Sequence, residues 1–163
     1  MKISFQPARL EDVPWIVKIT YQEMNEHLEK AFNGPFDYAS WEHDMRAIIM
    51  ENDVTRGVVQ LFIYDNEQIG YWWITTHSDH LWIDAIVIIP KYQGLNIGST
   101  VINQITNQFK FLHPKNLRIE LGVQETNTRA INFYKRLGFF IQTDSYLEMF
   151  RTIRMVRVQS ERV

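Results

Sequence analysis

The sequence predicts an α/β (α+β) protein in which helices flank a mixed sheet. Apolar residues change along the chain between helical and strand spacing, which gives the element order β-α-α-β-β-β-α-β-α-β-β. That order contains about seven strands and four helices. The 163 residues are 45% hydrophobic and 13% aromatic, and no linker rich in Pro, Gly or Ser divides them. Residues 1–163 are therefore expected to form one domain with a substantial core.

The first third of the chain predicts one strand and two helices. Lys2 to Gln6 alternates like a short strand, and apolar residues at helical spacing begin after Glu11. They are Val13, Ile16, Val17, Met24 and Leu28. The breaker cluster Asn33-Gly34-Pro35 then separates this helix from a second one. The apolar residues of the second helix are Trp41, Met45, Ile48 and Ile49.

The rest of the chain predicts six strands and two helices. Val58 to Tyr64 and Gln68 to Thr75 form a hairpin around Asp65 and Asn66, because both runs are β-branched and aromatic. The later elements are a strand at Leu81 to Ile89, a helix at Ile97 to Phe109, a strand at Asn116 to Val123, a helix at Asn127 to Leu137 ended by Gly138, and strands at Phe139 to Ile141 and Met149 to Val158. Trp72 and Trp73 are neighbours in a strand, so they point to opposite faces of the sheet.

Composition excludes several classes of function. The formal net charge of −2 gives no overall positive field that would attract nucleic acid or an anionic membrane. The absence of cysteine excludes disulfides, thiolate zinc sites and a cysteinyl intermediate. The first residues lack the apolar region of a signal peptide, and no apolar run approaches the length of a membrane span. These features favour a cytoplasmic protein.

Near the fourth strand, His77, Asp79 and His80 fit a solvated turn better than a metal site, so no metal is expected.

The segment PKYQGLNIGS, residues 90–99, predicts an anion-binding site. It links an apolar strand to a helix through Gly94, Asn96 and Gly98, where backbone N–H groups and the positive end of the helix dipole converge. A P-loop is excluded because Gly98 is followed by Ser99 rather than Lys and the glycine spacing is wrong. The dinucleotide pattern G-x-G-x-x-G is absent as well. Neither ATP nor NAD is favoured.

Two segments resemble the GNAT superfamily of N-acetyltransferases. Residues 88–99 are similar to its acyl-coenzyme A loop, V-x-P-x-x-[QR]-G-x-G-x-[GA], in which Gln93 and Gly98 match and Asn96 stands at a glycine position. Because Asn tolerates a positive φ better than other residues with a side chain, this replacement is conservative for the backbone. Residues 127–139 resemble the element N-x-x-A-x-x-[LF]-Y-x-x-x-G-F at every defined position.

The resemblance implies the GNAT fold, a mostly antiparallel sheet splayed open between its fourth and fifth strands. It implies acetyl-CoA as the acyl donor, held between those strands, with the pyrophosphate on the loop from Gln93 to Ser99. The expected cofactor-binding residues are Ile86, Ile88, Gln93, Gly94, Asn96, Ile97, Gly98, Ser99, Asn127 and Tyr134. Asn127 and Tyr134 lie about two helical turns apart on one face. The alternatives are that Asn127 only caps its helix and that Tyr134 is a core aromatic.

The implied reaction is direct transfer of an acetyl group to an amine of a small molecule or peptide. Asp84 is the first candidate for the base, because it interrupts an apolar strand and occupies the position of the proposed base in polyamine-type members. Glu120 is the second candidate, and Tyr134 is the candidate acid for the leaving thiolate. The first two helices are expected to shape the acceptor pocket, with Phe32, Phe36, Tyr38 or Trp41 beside Trp72 or Trp73. A non-catalytic acyl-CoA-binding module is the alternative function, and the sequence is compatible with a homodimer.

Overall fold

A computed structural model describes residues 2–112, 116–142 and 152–160 of the chain. The strands form one seven-stranded sheet in the order β1-β2-β3-β4-β5-β7-β6. Its strands are β1 Ser4–Pro7, β2 Gly57–Tyr64, β3 Glu67–Thr76, β4 Leu81–Ile88, β5 Asn116–Gln124, β6 Phe140–Ile141 and β7 Thr152–Ser160. The helices are α1 Val13–Phe32, α2 Tyr38–Glu51, α3 Ile97–Phe109 and α4 Thr128–Arg136.

Local sequence signals set most of these boundaries. The carboxylate of Asp37 accepts a hydrogen bond from the Ser40 backbone N–H at 3.0 Å and so caps the start of α2. Both α1 and α2 end at an asparagine with positive φ, Asn33 at 53° and Asn52 at 47°. Asp65 and Asn66 also have positive φ, at 49° and 61°, as a tight hairpin turn between β2 and β3 requires.

The two faces of the sheet carry separate hydrophobic cores. Trp72 and Ile74 pack with the apolar stripe of α3, including Val101 and Ile105. Tyr71 and Trp73 pack with α1 and α2 on the other face. The two neighbouring tryptophans therefore face opposite sides, as the strand period predicts. The face covered by α1 and α2 is called the acceptor face below.

The sheet opens between β4 and β5. All other neighbouring strands are antiparallel, whereas β4 and β5 run parallel. Within the described residues these two strands pair only at Leu81 with Ile119, Trp82 with Glu120 and Ile83 with Leu121. The remainder of β4 and β5 diverges. The predicted fold class and the splay between the fourth and fifth strands are thus confirmed.

The predicted element order is confirmed, and boundaries shift by one to three residues. The predicted start of the last strand, Met149 to Arg151, lies outside the described residues, and β7 begins at Thr152. In the part of the chain that the structure describes, no helix has the length and apolarity needed to cross a membrane.

Candidate active site

A β-bulge places Asp84 in the sheet beside the opening. Along β3 and β4 the pairing shifts between Trp73, which lies opposite Ala85, and Ile74, which lies opposite Ile83. Asp84 is the extra residue of this irregularity. Leu81 and Ile83 consequently face the α3 core, whereas Ala85 and Val87 face the α1–α2 core. Bulges of this kind re-aim side chains near active sites.

The carboxyl group of Asp84 is largely removed from water and has one close partner. The Thr75 hydroxyl donates a hydrogen bond to Asp84 Oδ2 at 2.7 Å. Burial raises the pKa of Asp84 to about 7, while the hydrogen bond from Thr75 opposes the rise and the charge of Asp44 on α2 adds to it. Near neutral pH this group divides between acid and carboxylate, which is the state that suits a general base.

Glu120 lies on β5 directly opposite Trp82, but its carboxylate is already occupied. It is buried, with 2% of its surface exposed. Arg118 Nε contacts Glu120 Oε1, and Arg154 Nε lies 2.9 Å from Glu120 Oε2. Two guanidinium groups thus lie against one buried carboxylate. Asp84 has no ion-pair partner among the described residues, and the identity of the base stays a prediction.

Tyr134 lies on α4 and packs against the α3 core. Its ring centroid is 5.1 Å from that of Phe133 and 5.4 Å from that of Phe139. Burial raises the pKa of Tyr134 to about 12, so the phenol stays protonated at neutral pH. Its hydroxyl has no hydrogen-bond partner among the described residues, and its proton remains free to be donated.

The loop before α3 leaves backbone N–H groups available for an anion. Gly94 has φ of 79° and Asn96 has φ of 62°, so the expectation of a left-handed backbone at residue 96 is confirmed. The first helical bond of α3 runs from the Thr100 N–H to the Asn96 carbonyl at 3.3 Å. The N–H groups of residues 97–99 precede that bond and have no partner within the helix. No acidic residue lies in the first turn, and no side chain caps it.

Gln93 and Gly98 hold this loop by contacts that the sequence motif does not reveal. The Gln93 side-chain amide donates to the Ile88 carbonyl at 2.8 Å and lies 3.5 Å from Glu23 Oε2 on α1. A Cβ atom on Gly98 would lie 2.6 Å from Cζ of Phe133. Gly98 therefore allows α4 to pack against the start of α3. No pattern in the sequence links residues 98 and 133.

Asn127 caps α4, as the structural alternative predicts. Its side-chain oxygen accepts a hydrogen bond from the Ala130 N–H at 3.1 Å. The cap uses the oxygen and leaves the side-chain amide N–H groups for other partners. Contact of Asn127 with the cofactor stays a prediction.

An aromatic wall stands on the acceptor face between α1 and α2. Trp41 lies over Trp73 with ring centroids 5.6 Å apart, and Tyr38 contacts Phe36 at 4.9 Å. The Tyr38 hydroxyl donates to Asn25 Oδ1 at 2.9 Å. Burial raises the pKa of Tyr38 to about 12, with the neighbouring Tyr21 and Glu29 adding to the rise. This wall lies on the same face of the sheet as Asp84, and its role in an acceptor pocket stays a prediction.

Comparison with known proteins identifies related sequences. The model of the acetyltransferase (GNAT) family matches residues 20–139. A curated relative, the spermine/spermidine N(1)-acetyltransferase of Bacillus subtilis (strain 168), is 32% identical over 62 residues. This stretch is 38% of the present chain and only 40% of the relative's length.

Solved structures with similar folds cover nearly the whole chain. The PaiA N-acetyltransferase of Thermoplasma acidophilum in complex with coenzyme A superposes with a TM-score of 0.73 at 17% identity, over 96% of this chain and 99% of that one. The ribosomal-protein-S18-alanine N-acetyltransferase of Escherichia coli gives a TM-score of 0.66 at 17% identity, over 99% and 97% of the two chains. At these identities the likeness establishes the fold.

Proposed function

Because the chain belongs to the acetyltransferase (GNAT) family, we propose that it transfers an acetyl group from acetyl-CoA directly to an amine. One observation carries this proposal. The sheet opens beyond Ile83 and Leu121, and the opening is bordered by a carboxyl group of raised pKa and by the free N–H groups at the start of α3. A candidate donor binding site and a candidate base thus border the same gap.

The residues around the gap fit coenzyme A. The first turn of α3 presents N–H groups and the positive end of the helix dipole, which suit a pyrophosphate. Positive φ at Gly94 and Asn96 gives the left-handed backbone that occurs in anion-binding loops of this kind. Beyond Ile83, β4 has no strand partner on its β5 side among the described residues, so Ile86 and Ile88 can pair with the pantetheine arm. We propose that Gln93, Ile97 and Ser99 also contact coenzyme A at this loop.

Acetyl-CoA supplies an activated thioester, and the protein must manage two protons. A primary amine of pKa about 10.4 is protonated at neutral pH, so it must lose a proton before it can attack the thioester carbon. Asp84 takes this proton, either directly or through water. As the carbon–nitrogen bond forms and the carbon–sulfur bond breaks, Tyr134 donates a proton to the departing thiolate. A backbone N–H of β4 near Ile88 stabilises the negative charge on the carbonyl oxygen.

The environment tunes both groups for these roles. Burial raises the pKa of Asp84 to about 7, so this carboxylate is a stronger base than a solvated aspartate. The raised pKa of Tyr134 keeps its proton in place until a thiolate forms beside it. The same shortage of water also raises the proton affinity of the thiolate, which helps transfer from the phenol.

The acceptor is an amine of a small molecule or peptide. The names of the related proteins include acetyltransferases of spermine, spermidine and a ribosomal-protein alanine, so both kinds of amine belong in the test. The aromatic wall of Phe36, Tyr38, Trp41 and Trp73 suits the aliphatic part of such an acceptor.

The proposal is tested by thiol release. Purified protein is mixed with acetyl-CoA and a panel of polyamines, amino acids, aminoglycosides and peptides, and free coenzyme A is measured with a thiol reagent. At least one amine is expected to release thiol well above the amine-free rate, and the Asp84→Asn variant is expected to lose most of that release. Binding of acetyl-CoA with no release for any amine would instead identify a non-catalytic acyl-CoA-binding module.

A further inference from the structure

We propose that Arg154 and Trp82 form a second subsite, which binds a carboxylate that the acceptor carries several bonds from its amine. This inference rests on the proposed function. It names the class of acceptor, an ω-amino acid or a side-chain amine of an amino acid, that the proposed function leaves open.

The position of Trp82 places this subsite next to the proposed base. Trp82 and Asp84 are two residues apart in β4 on the acceptor face, so their Cα atoms are separated by about 7 Å along the strand. The indole ring extends over β5: a Cβ atom on Gly122 would lie 3.7 Å from Cζ2 of Trp82. Gly122 itself is exposed, so this part of the sheet is open to solvent. Gly122 is also the first residue of β5 beyond the pairing with β4.

Arg154 lies over this open surface, and its guanidinium group has N–H donors that are not used by other residues of the described part of the chain. Its guanidinium carbon is 5.7 Å from the centroid of the Trp82 ring. Its Nε faces Glu120, and its side chain is 30% exposed. The two terminal amino groups have no partner in the described part of the chain. A guanidinium with one edge held and the other free is suited to bind a carboxylate through two parallel hydrogen bonds.

Arg154 shares its one carboxylate partner among the described residues with Arg118. Glu120 is the single buried carboxylate between these two arginines, and Asp79, in the turn before β4, also interacts electrostatically with Arg118. Arg118 directs another N–H to Gln142 Oε1 at 3.0 Å, whereas Arg154 has no such second partner among the described residues. An acceptor carboxylate beside Arg154 would give this arginine an anionic partner of its own.

The same layout disfavours an acceptor with a second ammonium group in this position. Glu120 already has two cationic partners, and an ammonium group near Trp82 would approach the Arg154 guanidinium, which repels it. Asp84 and the Trp82–Arg154 pair lie at different positions along the sheet, so an amine and a carboxylate that reach both must be joined by an alkyl chain. An α-amine is too close to its own carboxylate to span the two positions.

Three acceptors of equal chain length test the subsite. δ-Aminovalerate, pentylamine and cadaverine carry a carboxylate, a methyl group and an ammonium group at the end opposite the reacting amine. The expected order of kcat/KM in the wild-type protein is δ-aminovalerate, then pentylamine, then cadaverine. The kcat/KM for δ-aminovalerate should exceed that for pentylamine by about 10-fold or more, because the carboxylate gains a charge-assisted hydrogen bond.

Arg154→Gln should remove that preference. The KM for δ-aminovalerate is expected to rise about 10-fold, while kcat/KM for pentylamine changes by less than about threefold. Arg154→Lys keeps the charge but lacks the planar guanidinium, and it should give an intermediate preference. Arg56→Gln removes an exposed arginine on the turn before β2 and serves as the charge-matched control with the wild-type preference. Thermal unfolding and acetyl-CoA affinity check that each variant folds.

The possible outcomes separate this inference from the proposed function. If cadaverine is acetylated as well as or better than δ-aminovalerate, or if Arg154→Gln keeps the preference, the subsite is wrong and the acetyltransferase function stands. If none of the three amines and no member of the wider panel is acetylated, the proposed function fails and this inference fails with it.

Discussion

Replacing Gly98 by alanine tests whether the start of α3 controls the position of Tyr134. The added Cβ atom would lie 2.6 Å from Cζ and 3.1 Å from Cε2 of Phe133. Carbon atoms in ordinary contact are about 3.5–4.0 Å apart, so the ring must move by about 1 Å. The Phe133 ring also packs against the Tyr134 ring, with centroids 5.1 Å apart, so its movement disturbs the position of the candidate acid.

The expected effects can be scaled from this overlap. Overpacking of this kind typically costs about 1–3 kcal/mol of stability, which urea denaturation can measure. A displacement of about 1 Å at a reacting group can lower the rate by about 10²-fold. We therefore expect Gly98→Ala to unfold at lower urea concentration and to lose about 10- to 100-fold in kcat. Gly34→Ala is the control, because a Cβ atom there has no neighbour within 4 Å.

A second substitution tests whether contact with Phe133 is the reason that residue 98 must be glycine. Phe133→Leu shortens the side chain that would collide with the new Cβ atom, so the double variant Gly98→Ala/Phe133→Leu should recover at least about 1 kcal/mol relative to the sum of the single changes. It should also recover part of the lost kcat. If the double variant is no better than Gly98→Ala alone, the requirement for glycine arises from close approach of the pyrophosphate, and the packing explanation is wrong.

Four further predictions concern the proposed chemistry. Asp84→Asn should abolish the acidic limb of kcat/KM, which in the wild-type protein falls as pH drops through about 7, because the base must be ionised; an unchanged profile would exclude Asp84. Thr75→Val removes the hydrogen bond that lowers the pKa of Asp84 and should move that limb above pH 7, whereas a shift to lower pH would contradict the assigned contact. Tyr134→Phe should lower kcat by about 10²-fold at unchanged acetyl-CoA affinity, and full turnover would remove Tyr134 from the mechanism. At Asn96, with φ of 62°, calorimetry should show that Gly preserves or improves acetyl-CoA affinity while Val weakens it; equal affinities would refute the backbone argument.

The sequence alone was enough to predict the elements of the fold and the family resemblance. The hairpin at Asp65 and Asn66, the uncapped start of α3 and the positive φ at Asn96 follow from interactions among residues close in the chain. Asp84 could be identified for a similar reason, since a charged residue within an apolar strand is visible without a structure.

Only the tertiary structure decided where the candidate site residues lie and what they contact. The bulge at Asp84 depends on the register between β3 and β4, and the ion pair of Glu120 with Arg154 depends on β7 pairing with β5. The contact of Gly98 with Phe133 joins two helices that are far apart in sequence. Local propensity follows from neighbouring residues, whereas register, ion pairing and packing follow from distant segments that meet only in the folded chain.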